Sequence, residues 1–157
     1  MDAHGKIAWC KKKKDGIKLI EPNDNLSREY MASAEETLRI LKTITGQSNM
    51  WLATTKYYFE YFAVYAVLMK IGIKSEIHDC TISLCDFLEK EGIFETGFSE
   101  KLSDDKKLRI DNQYYLKNIP VFVDYDRLLQ FLLETKNVLD KMTYDQIHEI
   151  RSKIGAL

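Results

Sequence analysis

Trp51-Leu52-Ala53-Thr54-Thr55-Lys56-Tyr57-Tyr58-Phe59-Glu60-Tyr61-Phe62-Ala63-Val64-Tyr65-Ala66-Val67-Leu68-Met69 is the run that decides the fold. Wound at 3.6 residues per turn, it turns large apolar or aromatic side chains in almost every direction. A helix of that kind is surrounded by protein or by lipid. The run nearly reaches the roughly 20 residues of a membrane span, but Lys56, Glu60 and four tyrosines interrupt it. It therefore reads as the central helix of a soluble bundle, capped by Ser48 or Asn49 and ended by Gly72. One of its faces is expected to meet the bundle and another a second copy of the chain.

The flanking sequence supplies helices to pack around it. Upstream, Leu26, Tyr30, Ala34, Leu38, Leu41 and Ile44 recur at intervals of three and four, which predicts an amphipathic helix over about 26–45. Asn23-Asp24-Asn25 provides its N-cap chemistry and Gly46 its stop. Downstream, Ile77, Cys80, Thr81, Leu84, Phe87 and Leu88 form one stripe of a helix over about 75–90. Another begins near Ser99 or Ser103 and must end before Pro120. The next opens at Asp124 with Tyr125, Leu128, Leu129, Leu132, Leu139 and Met142 inward, and Thr143 with Gln146 makes a capping box for a short last helix. No stretch alternates in a way that demands a sheet. The fold class read from these patterns is all-α: an antiparallel up-and-down bundle of four to five helices plus a short C-terminal helix, over residues 26–157. Residues 1–25 read as an N-terminal extension packing on the bundle, with a helical turn around Ile7 to Cys10, a stop at Gly16 and an extended Ile17 to Pro22.

Composition narrows the function classes. In 157 residues, 23 lysines and arginines nearly balance 24 aspartates and glutamates, so no global field draws the protein to nucleic acid or an anionic membrane. The run Lys11 to Lys14 is either a phosphate contact or a solvated surface stretch. Cys10, Cys80 and Cys85 are odd in number; Cys80 and Cys85 lie about 140° apart on one helix and should not pair. All three are expected to be unpaired residues in a reducing cytoplasm, and no targeting leader or membrane span is expected. There is no Gly-rich phosphate loop, no Gly-x-Ser-x-Gly and no paired Cys or His motif of zinc type, and no cofactor or metal is expected.

The polar residues that remain cluster at Arg109, Asp111, Asn112, Gln113, Tyr114 and Tyr115. Arg109 shares a helix face with Asn112 and Gln113, and a guanidinium beside amides suits a phosphate or a nucleobase edge. The competing reading is a solvated face with an intrahelical contact between Arg and a carboxylate. His78, in the first turn of its helix and followed by Asp79, is either a general acid/base or a structural hydrogen-bonding group.

Taken in order, Thr54-Thr55-Lys56-Tyr57-Tyr58-Phe59-Glu60-Tyr61-Phe62, then Leu68-Met69-Lys70-Ile71-Gly72-Ile73-Lys74, then His78-Asp79, then Arg109-Ile110-Asp111-Asn112-Gln113-Tyr114-Tyr115 resemble the signature of HEPN-domain proteins. The likeness spans roughly residues 7 to 140 and is nearest to the small stand-alone prokaryotic subgroup. Trp9-Cys10 and Glu21-Pro22-Asn23-Asp24-Asn25-Leu26 look like an archaeal branch of it.

The resemblance implies a helical bundle that dimerises, here through the central helix, and that partners a minimal nucleotidyltransferase in a toxin-antitoxin-like pair, with nucleotide or RNA as ligand. Many members are metal-independent ribonucleases that use an Arg and, four to six residues on, a His. Arg109 matches that Arg, but Tyr114 stands in the His position and no His falls in the window. Tyrosine, with a pKa of about 10, is a poor proton carrier near neutrality. The candidate catalytic residues are accordingly Arg109, Tyr114 and His78, and the candidate nucleotide-binding residues Arg109, Asn112, Tyr114 and Tyr58. Two further readings stay open: a ribonuclease using Arg109 with His78 or Tyr114, and a dimerisation module without catalysis. In some such systems the partner transferase attaches nucleotides to a tyrosine, which makes Tyr114 and Tyr115 candidates for modification.

Overall fold

The computed structural model describes residues 1–157 and has seven helices and one small sheet, in the order α1 (Ala3–Lys11), β1 (Ile17–Leu19), α2 (Asp24–Thr43), α3 (Asn49–Ile71), β2 (Ile73–Ser75), α4 (His78–Lys90), α5 (Phe98–Gln113), α6 (Tyr125–Lys141) and α7 (Tyr144–Ala156). The helical bundle expected from the sequence is present, with α2 to α6 as its body and α7 as the short terminal helix. The starts follow the capping residues. Asn23, Ser48, Asp124 and Thr143 each accept a hydrogen bond from a backbone N–H in the first turn of the helix they precede.

α3 is the axis of the core. Of its 23 residues, Leu52, Ala53, Tyr57 and Phe59 to Tyr61 are buried, as are Ala63 to Met69 and Ile71. It packs most extensively against α2 and then α5, with α6 and α7 covering further faces. The chain itself thus meets nearly every face, and the apolarity that pointed to a dimer seam is mostly spent on internal neighbours. Among the residues that stay partly open are Thr55, Tyr58 and Phe62, which form a stripe, together with Trp51 at the helix start. No helix is long and apolar enough to cross a membrane. On α6 the inner face includes Phe131, stacked on Phe98 at 4.7 Å between ring centroids, whereas Leu129 faces outward.

Two features depart from the sequence reading. The expected extended segment does pair, with β1 and β2 running antiparallel from Ile17 opposite Ser75 to Leu19 opposite Ile73. Three residues per strand are too few for an alternation pattern to register. The cysteines are also not all unpaired: Cys10 of α1 is disulfide-bonded to Cys80 of α4, and only Cys85 is a free, buried thiol. Phase on α4 rightly separates Cys80 from Cys85, but the partner sits 70 residues away and is brought near only when α1 lies along α4. The four-lysine run divides as well. Lys11 donates to the carbonyls of Ile154 and Gly155 at 2.9 Å, and the Lys13 ammonium sits over the Trp9 ring.

Gly72 marks the tightest point. Its φ of +87° suits glycine, and a Cβ there would strike the Ile20 carbonyl, the Pro22 nitrogen and the Arg151 guanidinium. Arg151 of α7 donates to the carbonyls of Ile20, Ile71 and Gly72 at 2.7, 3.1 and 2.8 Å, and so caps the C-terminal end of α3.

Candidate functional site

Tyr57 is the hub. It lies on α3, fully buried, with its ring between two candidate residues that are 31 positions apart in the sequence. On one side its hydroxyl meets Nδ1 of His78 at 2.7 Å, where α4 starts immediately after β2. On the other the Arg109 guanidinium lies over its ring, 5.0 Å from the centroid. Arg109 comes from the last turns of α5, which crosses α3 along this face. The same guanidinium also lies 5.4 Å from the Tyr58 ring and 5.8 Å from the Tyr114 ring, so three aromatic faces surround it.

Arg109 is 7% exposed, and no carboxylate neutralises it. Its two acidic neighbours on α5 are engaged elsewhere: Asp105 pairs with Lys56 at 3.1 Å and Asp111 with Lys117 at 3.2 Å. One guanidinium N–H donates to Gln113 Oε1 at 3.2 Å, and the buried Nε has no partner. The intrahelical contact to a carboxylate, which the solvated-face reading requires, is not made.

His78 is half-buried and stacks on Tyr61 with centroids 4.5 Å apart and planes 15° from parallel. Burial, followed by the nearby Arg109 and Lys106 cations, lowers its pKa below the ordinary 6.5, against a smaller opposing pull from Asp79. The imidazole is therefore neutral at pH 7. Asp79 is drawn off to Lys106 at 2.6 Å. Burial raises the Tyr57 hydroxyl far above the usual tyrosine range, so it stays protonated and hydrogen-bonded to the ring.

Asn112, the third candidate on this face of α5, is 1% exposed and fully engaged. Its amide donates to the Ile119 carbonyl at 3.1 Å and accepts from the Ile119 N–H at 2.6 Å. It clamps the loop after α5, and Asn49 holds the same loop through Asn118 at 3.0 Å and the Val121 N–H at 3.3 Å. Between the clamps Leu116 and Asn118 adopt positive φ of 49° and 54°. The helix ends at Gln113, so Tyr114 and Tyr115 emerge on this loop, 64% and 68% exposed. Tyr58 is half-buried beside Arg109. The structure thus brings together Arg109, Tyr58, His78 and Tyr114, with Asn112 behind them as a brace.

Beneath Arg109 on the α3–α5 contact lies a second buried polar group that the sequence reading passed over. Glu60 is 1% exposed with neither carboxylate oxygen hydrogen-bonded by the chain, and burial followed by Asp105 holds its pKa well above the carboxylate range. Half of the signal was available: Lys56 and Glu60, like Asp105 and Arg109, are four apart on one helix, but the sequence does not say that the two helices meet. No cluster of three or more His, Cys, Asp or Glu is arranged to hold a metal. No model of a known protein family matches the chain, and no characterised protein matches it.

Proposed function

We propose that this is a HEPN-type nucleotide- or RNA-binding protein, acting with a minimal nucleotidyltransferase as a toxin-antitoxin-like pair, and that Arg109 is its phosphate contact. The observation that carries the reading is the buried, uncompensated Arg109. A cation withdrawn from water without a counter-anion is costly, and a phosphate entering the site supplies the missing charge. The surrounding tyrosine rings hold the guanidinium in place while leaving hydrogen-bonding edges unused. Tyr58 lies beside it, and the exposed Tyr114 and Tyr115 are accessible either to stack on a ligand or to receive a nucleotide from the transferase. A homodimer through α3 would use the stripe Thr55, Tyr58 and Phe62. The compartment we assign is the cytoplasm; the Cys10–Cys80 disulfide, a bond that reducing cytosols seldom hold, is the observation that weighs against it.

Co-expression with a minimal nucleotidyltransferase encoded beside it, followed by size exclusion and nucleotide titration, tests this. A complex whose nucleotide affinity falls at least ten-fold in Arg109→Met supports it; no complex and no nucleotide binding sinks it.

A ribonuclease is the second reading, favoured by one contact. If His78 donates Nδ1–H to the Tyr57 oxygen, its Nε2 is left as a neutral base on the same hub that carries Arg109. Cleavage of RNA in the presence of chelator, abolished by Arg109→Ala and by His78→Ala, supports it. Absence of cleavage, or cleavage indifferent to Arg109, removes it. The burial of Arg109 in the α3–α5 contact counts against the reading as a dimerisation module with a solvated polar face.

A further inference from the structure

His78 is the first residue of α4, behind Ile77, an N-cap residue with no side-chain hydrogen bond to offer. The caps that fix the starts of α2, α3, α6 and α7 are thus missing at the helix start that carries the imidazole. The N-terminal segment holds this start instead, and grips it on both sides. Two residues before His78, the Glu76 N–H donates to the Asp15 carbonyl at 3.1 Å, and Ser75 pairs with Ile17 across the small sheet. Two residues after it, Cys80 is bonded to Cys10. The Thr81 hydroxyl donates to Ser75 Oγ at 2.9 Å, so the two flanks of His78 are also joined to each other.

The gripping segment is compact but weakly seated. Gly16 brings the chain back so sharply that a Cβ there would stand 1.8 Å from the Cys10 carbonyl, which keeps β1 close to the end of α1. Of the nine residues of α1 only Ile7 and Cys10 are buried, and a helix that short is marginal without tertiary support. Its further ties include the Lys11 ammonium on two carbonyls of α7 and the His4 ring tilted against Phe87, 6.1 Å between centroids. The disulfide is its covalent tie to α4.

We propose that the Cys10–Cys80 bond is a redox latch on His78: closed, it holds the imidazole against Tyr57 and Tyr61, and reduced by a dithiol it frees α1 and lets water reach the ring. A thiolate of the reductant attacks one sulfur, the Cys10–Cys80 bond breaks as a mixed disulfide forms, and the reductant's second thiol displaces it. Cys10 and Cys80 end as thiols and the dithiol as a disulfide, two electrons and two protons having passed to the protein. Both sulfurs are buried, so the attack follows a local lifting of α1. The free Cys85 thiol lies on another face of α4 and takes no part. The latch is independent of what Arg109 binds.

The test follows the ring-proton shifts of His78 across pH by NMR in the full-length protein, oxidised and after dithiothreitol, with His148 as an internal reference. Mass spectrometry after alkylation counts the free thiols in each sample, and circular dichroism verifies that the helices remain. Burial is the largest cause that depresses the His78 pKa, ahead of Arg109 and Lys106 and against Asp79, so the expected midpoint rises toward 6.5 on reduction. Cys10→Ser is expected to show the raised midpoint without reductant. Ile7→Ala loosens α1 with the bond intact, and its disulfide is expected to be reduced roughly ten-fold faster than that of the parent. Identical His78 titrations in the oxidised and fully reduced protein overturn the latch, because the bond is then a tie that His78 does not feel. Thiols that appear only in denaturant overturn it as well. So does loss of the helical spectrum on reduction, which makes the bond a staple of the whole fold.

Discussion

Asp105 and Arg109 are one turn apart on the same helix, both about nine-tenths buried against α3, yet they are treated oppositely. Asp105 meets Lys56 at 3.1 Å, so its charge faces an opposite one, with Glu60, whose pKa burial holds well above the carboxylate range, beside the pair. Arg109 finds one amide, three ring faces and no anion. A buried charge balanced inside the chain belongs to the fold, whereas one left unbalanced is held ready for something outside it. The two layers therefore differ in what they lose when altered: the lower one stability, the upper one binding.

The sharpest way to break the comparison is to unbalance the lower layer. Asp105→Ala leaves Lys56 buried without its partner and is expected to cost about 3–5 kcal/mol in denaturant unfolding. A loss below about 1 kcal/mol would mean that the lower pair is no more structural than a surface one. A reference change of similar size that touches neither charge is Cys10→Ser. It opens a loop spanning 70 residues and is expected to cost about 2–4 kcal/mol under oxidising conditions and nothing under reductant.

Glu60 gives a finer test through pH. Its folded pKa is raised above the ordinary 4.5, so its contribution to stability is full below that value and is lost as pH rises towards the folded pKa. Glu60→Gln is expected to lie within about 1 kcal/mol of the parent at pH 4 and to show a flatter decline above it, read from unfolding midpoints across pH. A parent curve that rises over that window would contradict a neutral Glu60.

Arg109→Met makes the smallest structural change. Its stability is expected to be unchanged or raised by about 1 kcal/mol, since an apolar side chain replaces an uncompensated charge. In the same variant the His78 pKa moves upward, because one of the cations that lowers it is gone, yet stays below 6.5, because burial is the larger cause. Imidazole proton shifts followed by NMR across pH measure this directly. A His78 that does not respond would separate it from the Arg109 site.

How much of this was legible in the sequence follows from the range of each signal. The α3 run, the stripe of α4 from Cys80 on, and the caps at Asn23, Ser48, Asp124 and Thr143 are local patterns that appear where the sequence puts them, although α4 starts at His78 because Ser75 is taken up by β2 and Ile77 is the cap. Arg109 and Gln113 were placed on one face by spacing, and they do touch. What spacing could not carry is which helices meet. The Cys10–Cys80 bond, the β1–β2 pair and the Tyr57 bridge between His78 and Arg109 all join segments far apart in the chain. The end of α5 is legible only as a limit: the helix does end before Pro120, but Asn112 bonds the Ile119 backbone and turns the chain out at Gln113, before Tyr114 and Tyr115, which the sequence reading puts on the helix. Tyr114 and Tyr115 consequently stand on a clamped loop instead of a helical face.

Arg151 has a consequence for the order in which the molecule is made. Its guanidinium joins the end of α3 to the strand before α2, and Lys11 in turn fastens α1 to the last turn of α7. During synthesis α1 to α6 leave the ribosome before the residue that closes them does. Until α7 follows, the carbonyls of Ile20 and Ile71 lack the Arg151 guanidinium and that of Gly72 has only the Ile20 N–H, so the nascent bundle stays open at the end of the sheet where β1 stops and β2 starts.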